Sequence, residues 1–590
     1  MKRALERLAA YWYSLRYQQA TQISGRLQYW LAWKIYPRFP SAVATYCELA
    51  ARACQTNPDS FSSRPAIAGS SDGGSNRFSL LNETVDFNNP VDWNPPGRSL
   101  LWLFHLHYFD WAQACDAETL SRQIESWIDS NPPGSWPGWH PYPTSLRIVN
   151  WLRALQGALH LQNEKEPGSS TSASRFKARI EQSLAQQAAF LEINLEHHLG
   201  GNHLLENARA LLMAGLHFEG APARRWRAAG LALLRAEISQ QVLPDGGHCE
   251  RSPYYHARVT DLLEDVIRTL ADRGCPAPSD LTEAAARMAS FRGALRHRDG
   301  SLPLFHDSLG PAPPRNSAPS CARISFPFTG YYILESSQGR MIADYGAPGS
   351  SPNPAHQHAG IFSYEISSAR GRVVVDSGTA TYEAGPGRDR LRATPAHNTV
   401  CVDGLDQFQV WRAFRAGRRA WVGSVVEIRR PDCEILSASH NGYRRLGVEH
   451  RRSIVHLAGA GWLVVDDLLG RKRRHLESFV HFAPEMAPEI HGSRVCLPPL
   501  GWALVVFGFE APPAVRADFF SPAVGVVQPS KTLVLKAEAS LPLRFGYWLG
   551  YDASVTWDGS CRVQIEAADR SVVVQLGPIG SNAAFEVRYN

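Results

Sequence analysis

Residues 310–320, GPAPPRNSAPS, separate two parts of the chain that have different hydrophobic periods. Before this proline-rich stretch, apolar residues recur three and four positions apart, which is typical of amphipathic helices. After residue 321 the period changes to two, in runs rich in β-branched residues such as Trp462-Leu463-Val464-Val465-Asp466. The change predicts a helical region followed by a region of strands. The predicted helices span 145–161, 175–196, 202–218, 222–242, 258–274 and 280–299.

Short turns with Gly or Pro, such as Leu199-Gly200-Gly201, separate the predicted helices. Serial helix hairpins of this kind close into an (α/α) toroid or form an open α-solenoid. Roughly fifteen strands follow with no convincing helix between them, which favours a large antiparallel sheet structure. We therefore predict an α+β multidomain protein. Its parts are an N-terminal helical segment (1–80) that ends in a Gly- and Ser-rich loop (62–76), an incomplete (α/α) toroid (81–315), and an antiparallel, sandwich-like β-sheet domain (321–590).

The composition is that of a globular protein, because 44% of the 590 residues are hydrophobic and 20% are charged. The net charge of +6 is spread over a long chain, which argues against a nucleic-acid partner. The longest apolar runs are too short for a transmembrane segment. All but seven of the 61 basic residues are arginine, a side chain that binds carboxylates and sulfates with two hydrogen bonds. This bias suits an acidic ligand, although genome base composition produces the same bias.

The N-terminus, MKRALERLAAYWYSLRYQQ, begins with positive charges but lacks the apolar core and cleavage site of a signal peptide. Its charge pattern suits an amphipathic helix. We therefore expect a cytoplasmic protein, or a periplasmic or secreted one whose export signal has been removed. The ten cysteines include no CxxC pair. They fit buried or idle thiols in a reducing compartment better than a zinc ribbon or a disulfide framework.

Two polar clusters lie in the helical part of the chain. In GGNHLLEN (200–207), Asn202 is placed to cap a helix. Glu206 follows His203 by three residues, so the two side chains share one helix face. In DGGHCERSPYYH (245–256), the Asp-Gly-Gly turn predicts a loop that presents charged and aromatic side chains together. The alternatives are a helix cap with satisfied polar residues and an ordinary loop with two packed tyrosines.

Two further clusters lie in the strand part. His356 and His358 alternate in the sequence HQH, so their imidazoles point the same way on an extended chain. Asp376 ends an apolar run, and His397 follows a group of arginines at 388–392. Two imidazoles and one carboxylate are a normal ligand set for zinc or a similar divalent metal. With 21 histidines in the chain, a chance grouping is the alternative.

In order along the chain, GGNHLLENARAL (200–211), DGGHCERSPYYH, HQH with Asp376, and RLRATPAHNTVCVDG (390–404) resemble the successive motifs of the heparinase II/III-like polysaccharide lyases. LWLFHLHYFD (101–110) resembles the N-terminal module of that superfamily, and the resemblance covers about residues 80–420. It implies an (α/α) toroid followed by antiparallel sheets, in agreement with the periodicity. It also implies cleavage of uronic-acid polysaccharides by β-elimination, which removes the C5 proton, expels the oxygen on C4 and leaves an unsaturated uronate.

The resemblance implies catalytic roles for five residues. Asn202 and His356 contact the substrate carboxylate, with His203 nearby; this contact is needed because an ionised carboxylate makes the neighbouring C5–H a very poor acid. Tyr255 gives its proton to the leaving oxygen and, for one C5 epimer, also removes the C5 proton. For the opposite epimer His203 takes that proton. Glu206 orients or charge-balances His203.

The resemblance further implies a metal and a set of looser substrate contacts. One structural divalent ion, zinc with manganese as the alternative, holds the loop that delivers His356. Its expected ligands are His358, Asp376 and His397. The side chains expected to bind neighbouring acidic groups or to line the substrate groove are Arg251, Tyr382, Arg388 and Arg392.

The expected partner is an acidic polysaccharide. Glycosaminoglycans such as heparan sulfate, hyaluronate or chondroitin sulfate come first, and alginate or a bacterial exopolysaccharide second, because the N-terminal portion resembles family members associated with exopolysaccharide production. A glycoside hydrolase is an alternative, but it needs two carboxylic acids across the scissile bond, for which Glu206 and Glu250 are the obvious candidates. A non-catalytic glycan-binding or exopolysaccharide-assembly protein is the third interpretation. The sequence does not fix the oligomeric state.

Overall fold

The structure, a computed structural model, describes residues 2–56, 76–156, 170–310, 324–348, 354–567, 570–580 and 585–589. Nearly all of the predicted loop at 62–76 and of the proline-rich boundary at 310–320 lies outside these residues. The chain forms two compact units. The helical unit comprises Gln18–Val242 and Arg258–Ala286, and the β unit comprises Met1–Tyr17, Leu243–Ala257 and Arg287–Asn590. The β unit therefore includes two segments from the first half of the chain, and the three-part division at residues 80 and 315 stays a prediction.

Helices dominate the first half of the chain, as the periodicity predicts. The helix predicted at 202–218 is Gly201–His217, and the one predicted at 222–242 is Ala221–Gln241. Among the described residues, no helix is long and apolar enough to cross a bilayer. The helices are α1 Lys2–Arg16, α2 Ala20–Ile35, α3 Pro40–Arg52, α4 Leu100–Tyr108, α5 Ala117–Ser130, α6 Pro141–Gln156, α7 Ser170–Glu192, α8 Gly201–His217, α9 Ala221–Gln241, α10 Pro253–Asp272, α11 Ser279–Ala294 and α12 Pro386–Arg392.

The core of the helical unit is rich in tryptophan. Trp127 and Trp151 are fully buried and meet edge to face, with ring centroids 5.4 Å apart. The guanidinium of Arg147, also fully buried, lies 3.8 Å from the centroid of the Trp127 ring. It donates hydrogen bonds to the carbonyls of His107 at 3.2 Å and Gly138 at 2.8 Å. These partners matter because an unpaired buried charge costs several kcal/mol.

In the described part of the helical unit there are four short strands: β1 Gln55–Thr56, β2 Arg77–Leu80, β3 Glu83–Asp86 and β4 Phe218–Glu219. All later strands belong to the β unit. They are β5 Ser325–Phe326, β6 Tyr331–Glu335, β7 Gly339–Asp344, β8 Tyr364–Ser368, β9 Gly371–Val374, β10 Val400–Val402, β11 Val410–Trp411, β12 Arg415–Ala416, β13 Val426–Arg429, β14 Cys433–His440, β15 Glu449–Leu457, β16 Gly461–Leu469, β17 Arg473–Phe482, β18 Glu489–His491, β19 Arg494–Leu497, β20 Trp502–Phe507, β21 Ala514–Phe520, β22 Gln528–Ser540, β23 Leu543–Tyr551, β24 Ser554–Trp557, β25 Arg562–Ala567, β26 Arg570–Leu576 and β27 Phe585–Tyr589.

Within the described residues, the β unit has two large sheets, one smaller sheet and the two-stranded hairpin of β11 and β12. The first has the order β21-β22-β17-β9-β8-β7-β6-β5, with β10 also paired to β17. The second has the order β13-β14-β15-β16-β23-β20-β19-β18, and the smaller sheet has the order β24-β25-β26-β27. Neighbouring strands run antiparallel, for example β15 with β16 and β17 with β22. The predicted large antiparallel sheet structure is confirmed.

Apolar cores hold these sheets in layers. Tyr364 of the first large sheet and Tyr547 of the second lie in one buried cluster, and their hydroxyl oxygens are 2.6 Å apart. On the other face of the second sheet, Trp548 and Val465 belong to a second cluster together with Val563 of the smaller sheet. Burial of apolar surface, at about 25 cal/mol per Å², is the main stabilising contribution of such layers. The stack agrees with the predicted sandwich-like domain.

Helix α1 packs on the short hairpin formed by β11 and β12. Ser14 Oγ donates a hydrogen bond to the carbonyl of Ala416 at 2.6 Å, and Trp411 Nε1 donates to Ser14 Oγ at 3.3 Å. The rings of Tyr11 and Trp411 meet edge to face, with centroids 4.8 Å apart. Ser14 and Ala416 are 402 positions apart in the sequence, so local periodicity could not predict this contact.

Candidate active site

The loop before helix α10 positions Tyr255 at the start of that helix. Asp245 Oδ2 accepts a hydrogen bond from the Thr329 amide and Oδ1 accepts one from the Thr329 hydroxyl, both at 2.7 Å. Gly247 must be glycine here, because a Cβ atom would lie 1.8 Å from Thr329 Oγ1. Ser252 Oγ then accepts a hydrogen bond from the Tyr255 amide at 3.2 Å, as a helix cap does. The predicted loop is therefore present and firmly held.

Tyr255 lies against His356. Their ring centroids are 3.9 Å apart and their planes differ by 30°, and the Tyr255 hydroxyl donates to the Tyr382 hydroxyl at 3.4 Å. Burial raises the pKa of Tyr382 well above its usual range, so that hydroxyl keeps its proton at neutral pH. It can donate to the Tyr255 oxygen whenever that oxygen is ionised, which would stabilise the ionised form. Three residues predicted separately from the sequence are thus in contact.

A buried carboxylate orients His356. His356 Nδ1 donates to Asp307 Oδ2 at 3.0 Å, and the Asp307 amide donates to the His356 carbonyl at 2.9 Å. Because Nδ1 makes this hydrogen bond, Nε2 is the ring atom left for a ligand. Glu250 Oε2 lies 3.8 Å from Nε2, which is too far for a hydrogen bond. His356 therefore has a fixed ring orientation.

Asp307 is an acceptor shared by several side chains. It is fully buried and accepts hydrogen bonds from His356, from His358 Nε2 at 2.8 Å and from both terminal nitrogens of Arg388. Burial alone raises the pKa of the Asp307 carboxyl, but the Arg388 charge and the imidazole hydrogen bonds outweigh burial and hold that pKa well below its usual range. Asp307 was not predicted from the sequence. The sequence feature that could have pointed to it is a carboxylate directly after a histidine, His306-Asp307, in the irregular segment that follows α11.

Two of the predicted substrate-binding arginines are fully buried and hold backbone segments. Besides its ion pair, Arg388 donates from Nε to the carbonyl of Ala413 at 3.0 Å. Arg392 donates to the carbonyl of Gln357 at 3.1 Å and to that of Arg412 at 3.0 Å. These contacts tie the HQH loop to the β11–β12 hairpin and favour a structural role. Substrate binding by either arginine stays a prediction.

Arg251 also has a structural environment. It is 2% exposed, donates from Nε to the Thr329 carbonyl at 2.8 Å and forms an ion pair with Asp344. Its backbone has φ +60°, in the left-handed region. A Cβ atom at Gly346 would lie 2.2 Å from the Arg251 guanidinium, so the two residues are closely packed. A substrate contact by Arg251 stays a prediction that this burial does not favour.

The predicted metal ligands are neighbours in the β unit. The ring centroids of His358 and His397 are 5.4 Å apart, and His397 Nδ1 donates to Asp376 Oδ2 at 2.7 Å. His358 Nδ1 and His397 Nε2 are buried without a hydrogen-bond partner, as expected of nitrogens that could bind a cation. The Asp376 carboxylate contacts Nδ1 of His397 and not the unpaired Nε2. In the described parts of the chain, no three His, Cys, Asp or Glu residues are arranged to hold an ion. His358, Asp376 and His397 therefore match a metal site only in part, and the metal ion stays a prediction.

The remaining predicted residues lie in the helical unit at the start of α8. His203 Nδ1 donates to Glu196 Oε1 at 3.1 Å, and the centroid of its ring is 4.1 Å from that of Tyr142. Glu206 instead forms an ion pair with Arg209 at 2.7 Å. A carboxylate that orients His203 is therefore Glu196, and the role of Glu206 stays a prediction. Helical spacing pointed to Glu206 because Glu196 precedes the helix, seven residues before His203.

Glu196 is fully buried at the turn before α8. Burial raises the pKa of Glu196, but the imidazoles of His203 and His140 and the amide of Asn207 outweigh burial and lower that pKa to about 2. Helix α8 begins at Gly201, so Asn202 lies inside it rather than capping it. Asn202 Nδ2 donates to the Tyr142 hydroxyl at 3.2 Å. The predicted cap is wrong, whereas the predicted clustering of polar side chains is present.

Family models match most of the chain. Residues 113–315 match the model described as heparinase II/III N-terminus, and residues 318–564 match the model described as heparinase II/III-like, C-terminal. The chain therefore belongs to the heparinase II/III-like family. The resemblance seen in the motifs is confirmed.

Several curated proteins are similar in sequence. FtsZ-localized protein C of Caulobacter vibrioides is 27% identical over 505 residues, which cover 82% of this chain and 78% of that protein. A heparin-sulfate lyase of Bacteroides thetaiotaomicron is 23% identical over 59% of this chain, and one of Pedobacter heparinus is 22% identical over 66% of it. The matches span 54% and 64% of the lengths of these two lyases.

Solved structures share the fold. A crystal structure of heparinase III superposes with a TM-score of 0.65 at 17% identity and covers 86% of both chains. Heparan sulfate lyase HepC from Pedobacter heparinus superposes with a TM-score of 0.61 at 17% identity, over 92% of this chain and 95% of that one. The predicted fold class, a helical toroid followed by antiparallel sheets, is confirmed.

Proposed function

We propose that this protein is a polysaccharide lyase that cleaves uronic-acid polysaccharides by β-elimination. The observation that carries the proposal is the contact between Tyr255 and His356, with ring centroids 3.9 Å apart. It joins a phenol able to transfer a proton to an imidazole whose Nδ1 is fixed by Asp307. Membership of the heparinase II/III-like family and the relatives named heparin-sulfate lyase support the same chemistry.

The proposed reaction begins at the uronate carboxylate. In its doubly protonated form His356 donates from Nε2 to that carboxylate and offsets its charge, which makes the C5 proton more acidic. The ionised oxygen of Tyr255 takes the C5 proton, and the electron pair of the C5–H bond becomes the second bond between C4 and C5. The bond from C4 to the glycosidic oxygen breaks, and this oxygen takes the proton from Tyr255. Tyr382 stabilises the ionised Tyr255 by donating a hydrogen bond to it.

The proposed substrates are acidic polysaccharides, with glycosaminoglycans before alginate or a bacterial exopolysaccharide. The choice of glycosaminoglycans as the first substrate class is supported by the relatives that are named heparin-sulfate lyase. The test is the ultraviolet absorbance of unsaturated uronate, followed over time with heparan sulfate, hyaluronate, chondroitin sulfate, alginate and glucuronan. A rise with any polymer supports the proposal and identifies the substrate class. It must be abolished in Tyr255→Phe and kept in Tyr254→Phe, a matched control at the adjacent position.

The helical unit contributes a second group of proposed substrate contacts, Asn202 and His203. Their roles rest on the resemblance and on the hydrogen bond between His203 and Glu196. For a substrate with the opposite C5 epimer, His203 is the proposed base. His203→Gln should then remove activity on polymers of one epimer and keep most activity on the other. Equal loss on both would contradict this assignment.

A structural divalent ion, zinc or manganese, is also part of the proposal. His358, Asp376 and His397 would hold it, and the two unpaired imidazole nitrogens described above support this assignment. When bound, the ion supplies a cross-link between the HQH loop and the segments that carry Asp376 and His397. The proton transfers proposed above belong to Tyr255 and, for the opposite C5 epimer, to His203, and none of them passes through the ion.

A non-catalytic glycan-binding protein is the second candidate. It is favoured by the similarity to FtsZ-localized protein C, which covers 82% of this chain and whose name describes localisation rather than catalysis. Under this alternative the polymers bind without a rise in absorbance, and Tyr255→Phe changes nothing that can be measured. A binding-only role requires no proton donor at position 255.

A further inference from the structure

A basic cavity lies in the β unit where helix α1 meets the β11–β12 hairpin. Its volume is about 160 Å³, which is room for several water molecules and therefore for a small anion. Its charged and aromatic lining residues are Tyr13, Asp406, Arg418, Arg419, Arg444 and Arg445. They come from four separate stretches of the chain, so the cavity depends on the tertiary fold.

Two tyrosines, one in α1 and one directly after it, hold two of these arginines in place. The guanidinium of Arg418 lies 5.1 Å from the centroid of the Tyr13 ring, and that of Arg419 lies 4.0 Å from the centroid of the Tyr17 ring. The hydrogen bond from Ser14 to the β12 backbone fixes the helix beside them. The two side chains are therefore oriented before any ligand binds, which lowers the entropic cost of binding.

The charges in the cavity are unbalanced. Among the described residues that line it, four are arginines and one, Asp406, has a carboxylate, whose Oδ1 accepts a hydrogen bond from the Thr394 amide at 2.8 Å. Burial raises the pKa of the Asp406 carboxyl above its ordinary value. Burial also lowers the pKa of Arg419 to about 10, and at neutral pH that side chain still carries its charge. The cavity is therefore positive.

Arg418 has an unsatisfied donor. Its Nε atom is buried and has no hydrogen-bond partner, although a buried polar atom without a partner costs about 1–3 kcal/mol. Guanidinium groups present donors in a fork that matches the oxygens of carboxylate, sulfate and phosphate. An oxyanion in the cavity would satisfy the Nε atom and offset the excess positive charge at the same time.

We propose that this cavity is a binding site for an oxyanion group, namely a carboxylate, sulfate or phosphate, and that it is separate from the cluster around Tyr255. The cavity and its charges carry this inference independently of the proposed lyase activity. A polysaccharide and a free ion can both supply such a group. Sodium glucuronate, sodium sulfate and sodium phosphate are therefore the three probes, and sodium chloride controls for ionic strength.

The test is isothermal titration calorimetry of the full-length protein with each probe. We expect one saturable site for at least one oxyanion, and Arg418→Gln should weaken its affinity by about tenfold or more. Arg471→Gln, which removes an exposed arginine on a turn outside the cavity, is the matched control and should leave the affinity unchanged. Tightest binding of glucuronate would identify a uronate as the source of the group, and tightest binding of sulfate or phosphate would identify those ions.

Arg444→Gln provides a second variant, because Arg444 is exposed and its replacement does not disturb the core. It should weaken the same binding by about threefold or more, and Tyr255→Phe should leave it unchanged. The absence of saturable binding for all three oxyanions would overturn the proposal. It would also be overturned if Arg418→Gln and Arg444→Gln both bound as tightly as the wild type, since the anion would then bind elsewhere.

Discussion

The two units contain similar clusters with different surroundings. In the β unit His356 stacks on Tyr255 at 3.9 Å and donates from Nδ1 to the buried Asp307 at 3.0 Å. In the helical unit His203 stacks on Tyr142 at 4.1 Å and donates from Nδ1 to the buried Glu196 at 3.1 Å. Each cluster therefore consists of a tyrosine, a histidine and a buried carboxylate.

The difference between the clusters lies in what else each carboxylate binds. Asp307 forms an ion pair with the buried Arg388, so its charge is largely compensated and it acts mainly by fixing the position of the histidine. Glu196 accepts a hydrogen bond from the neutral amide of Asn207 at 3.0 Å, so more of its charge acts on His203. The comparison suggests a positioning carboxylate in one unit and an activating carboxylate in the other. The predictions below compare the two units, and those on stability and on acid test this distinction.

The largest expected effect is on turnover. Tyr255→Phe should lower kcat by about a thousandfold, because general acid–base catalysis contributes about 10²–10⁴-fold. Tyr142→Phe, the equivalent change in the helical unit, should lower kcat by less than about tenfold, because Tyr142 is not the proposed proton donor. Steady-state kinetics on the best substrate measures both variants. Similar losses would mean that the two tyrosines share the proton transfer.

The next effect is on the stability of the β unit. Asp307→Asn should lower the free energy of unfolding by about 3–5 kcal/mol, because it leaves the charge of Arg388 buried and unpaired. Glu196→Gln should cost about 1–3 kcal/mol, the usual cost of disturbing buried hydrogen bonds. Urea unfolding followed by circular dichroism measures both values. A greater loss for Glu196→Gln would reverse the assignment of the two carboxylates.

A third effect concerns acid stability. The folded pKa of Glu196 is about 2, below its ordinary value of 4.5, so the ionised form stabilises the helical unit above about pH 4.5. That stabilisation is lost as the pH falls through about 2. His140, whose pKa burial lowers to about 4, acts in the same direction, because the unfolded chain binds its proton more readily. Between pH 5 and pH 2 the wild type should lose roughly 3 kcal/mol more stability than Glu196→Gln. Parallel pH profiles from urea unfolding would contradict this.

The smallest effect concerns the proposed metal. Purified protein should contain about one zinc or manganese ion per chain by elemental mass spectrometry, and chelation should lower the free energy of unfolding by about 1–3 kcal/mol. His358→Gln should lose the ion, whereas the control His475→Gln, at an exposed position of β17, should keep it. A stable, metal-free wild type that is unaffected by chelators would show that the two unpaired nitrogens serve another purpose.

The fold was predictable from the sequence where the pattern is local. The helix predicted at 202–218 is Gly201–His217, because apolar residues at helical spacing and the preceding glycines act within one element. The packing of α1 on the β11–β12 hairpin was not predictable. It depends on Ser14 and Ala416, which are 402 positions apart, and sequence periodicity carries no information about such distant contacts.

The candidate site was predictable in part for the same reason. Tyr255 and His356 lie within recognisable motifs, and they are in contact. Asp307 and Glu196 lie outside these motifs, in irregular chain. Tertiary structure brings Asp307 to His356, 49 positions away, whereas Glu196 reaches His203 through the turn before α8. Glu206 illustrates the limit of helical spacing, because its position one turn from His203 was correct but its carboxylate turns to Arg209.

The central claim is that Tyr255 and His356 carry out β-elimination, and product mass tests it most directly. Oligosaccharides released by the wild-type protein should have non-reducing ends that lack one water compared with hydrolysis products, because elimination leaves a C4–C5 double bond. Tyr255→Phe should release none of them, while Tyr254→Phe releases the same products as the wild type. Products with hydrolytic masses, or elimination products that persist undiminished in Tyr255→Phe, would contradict the account.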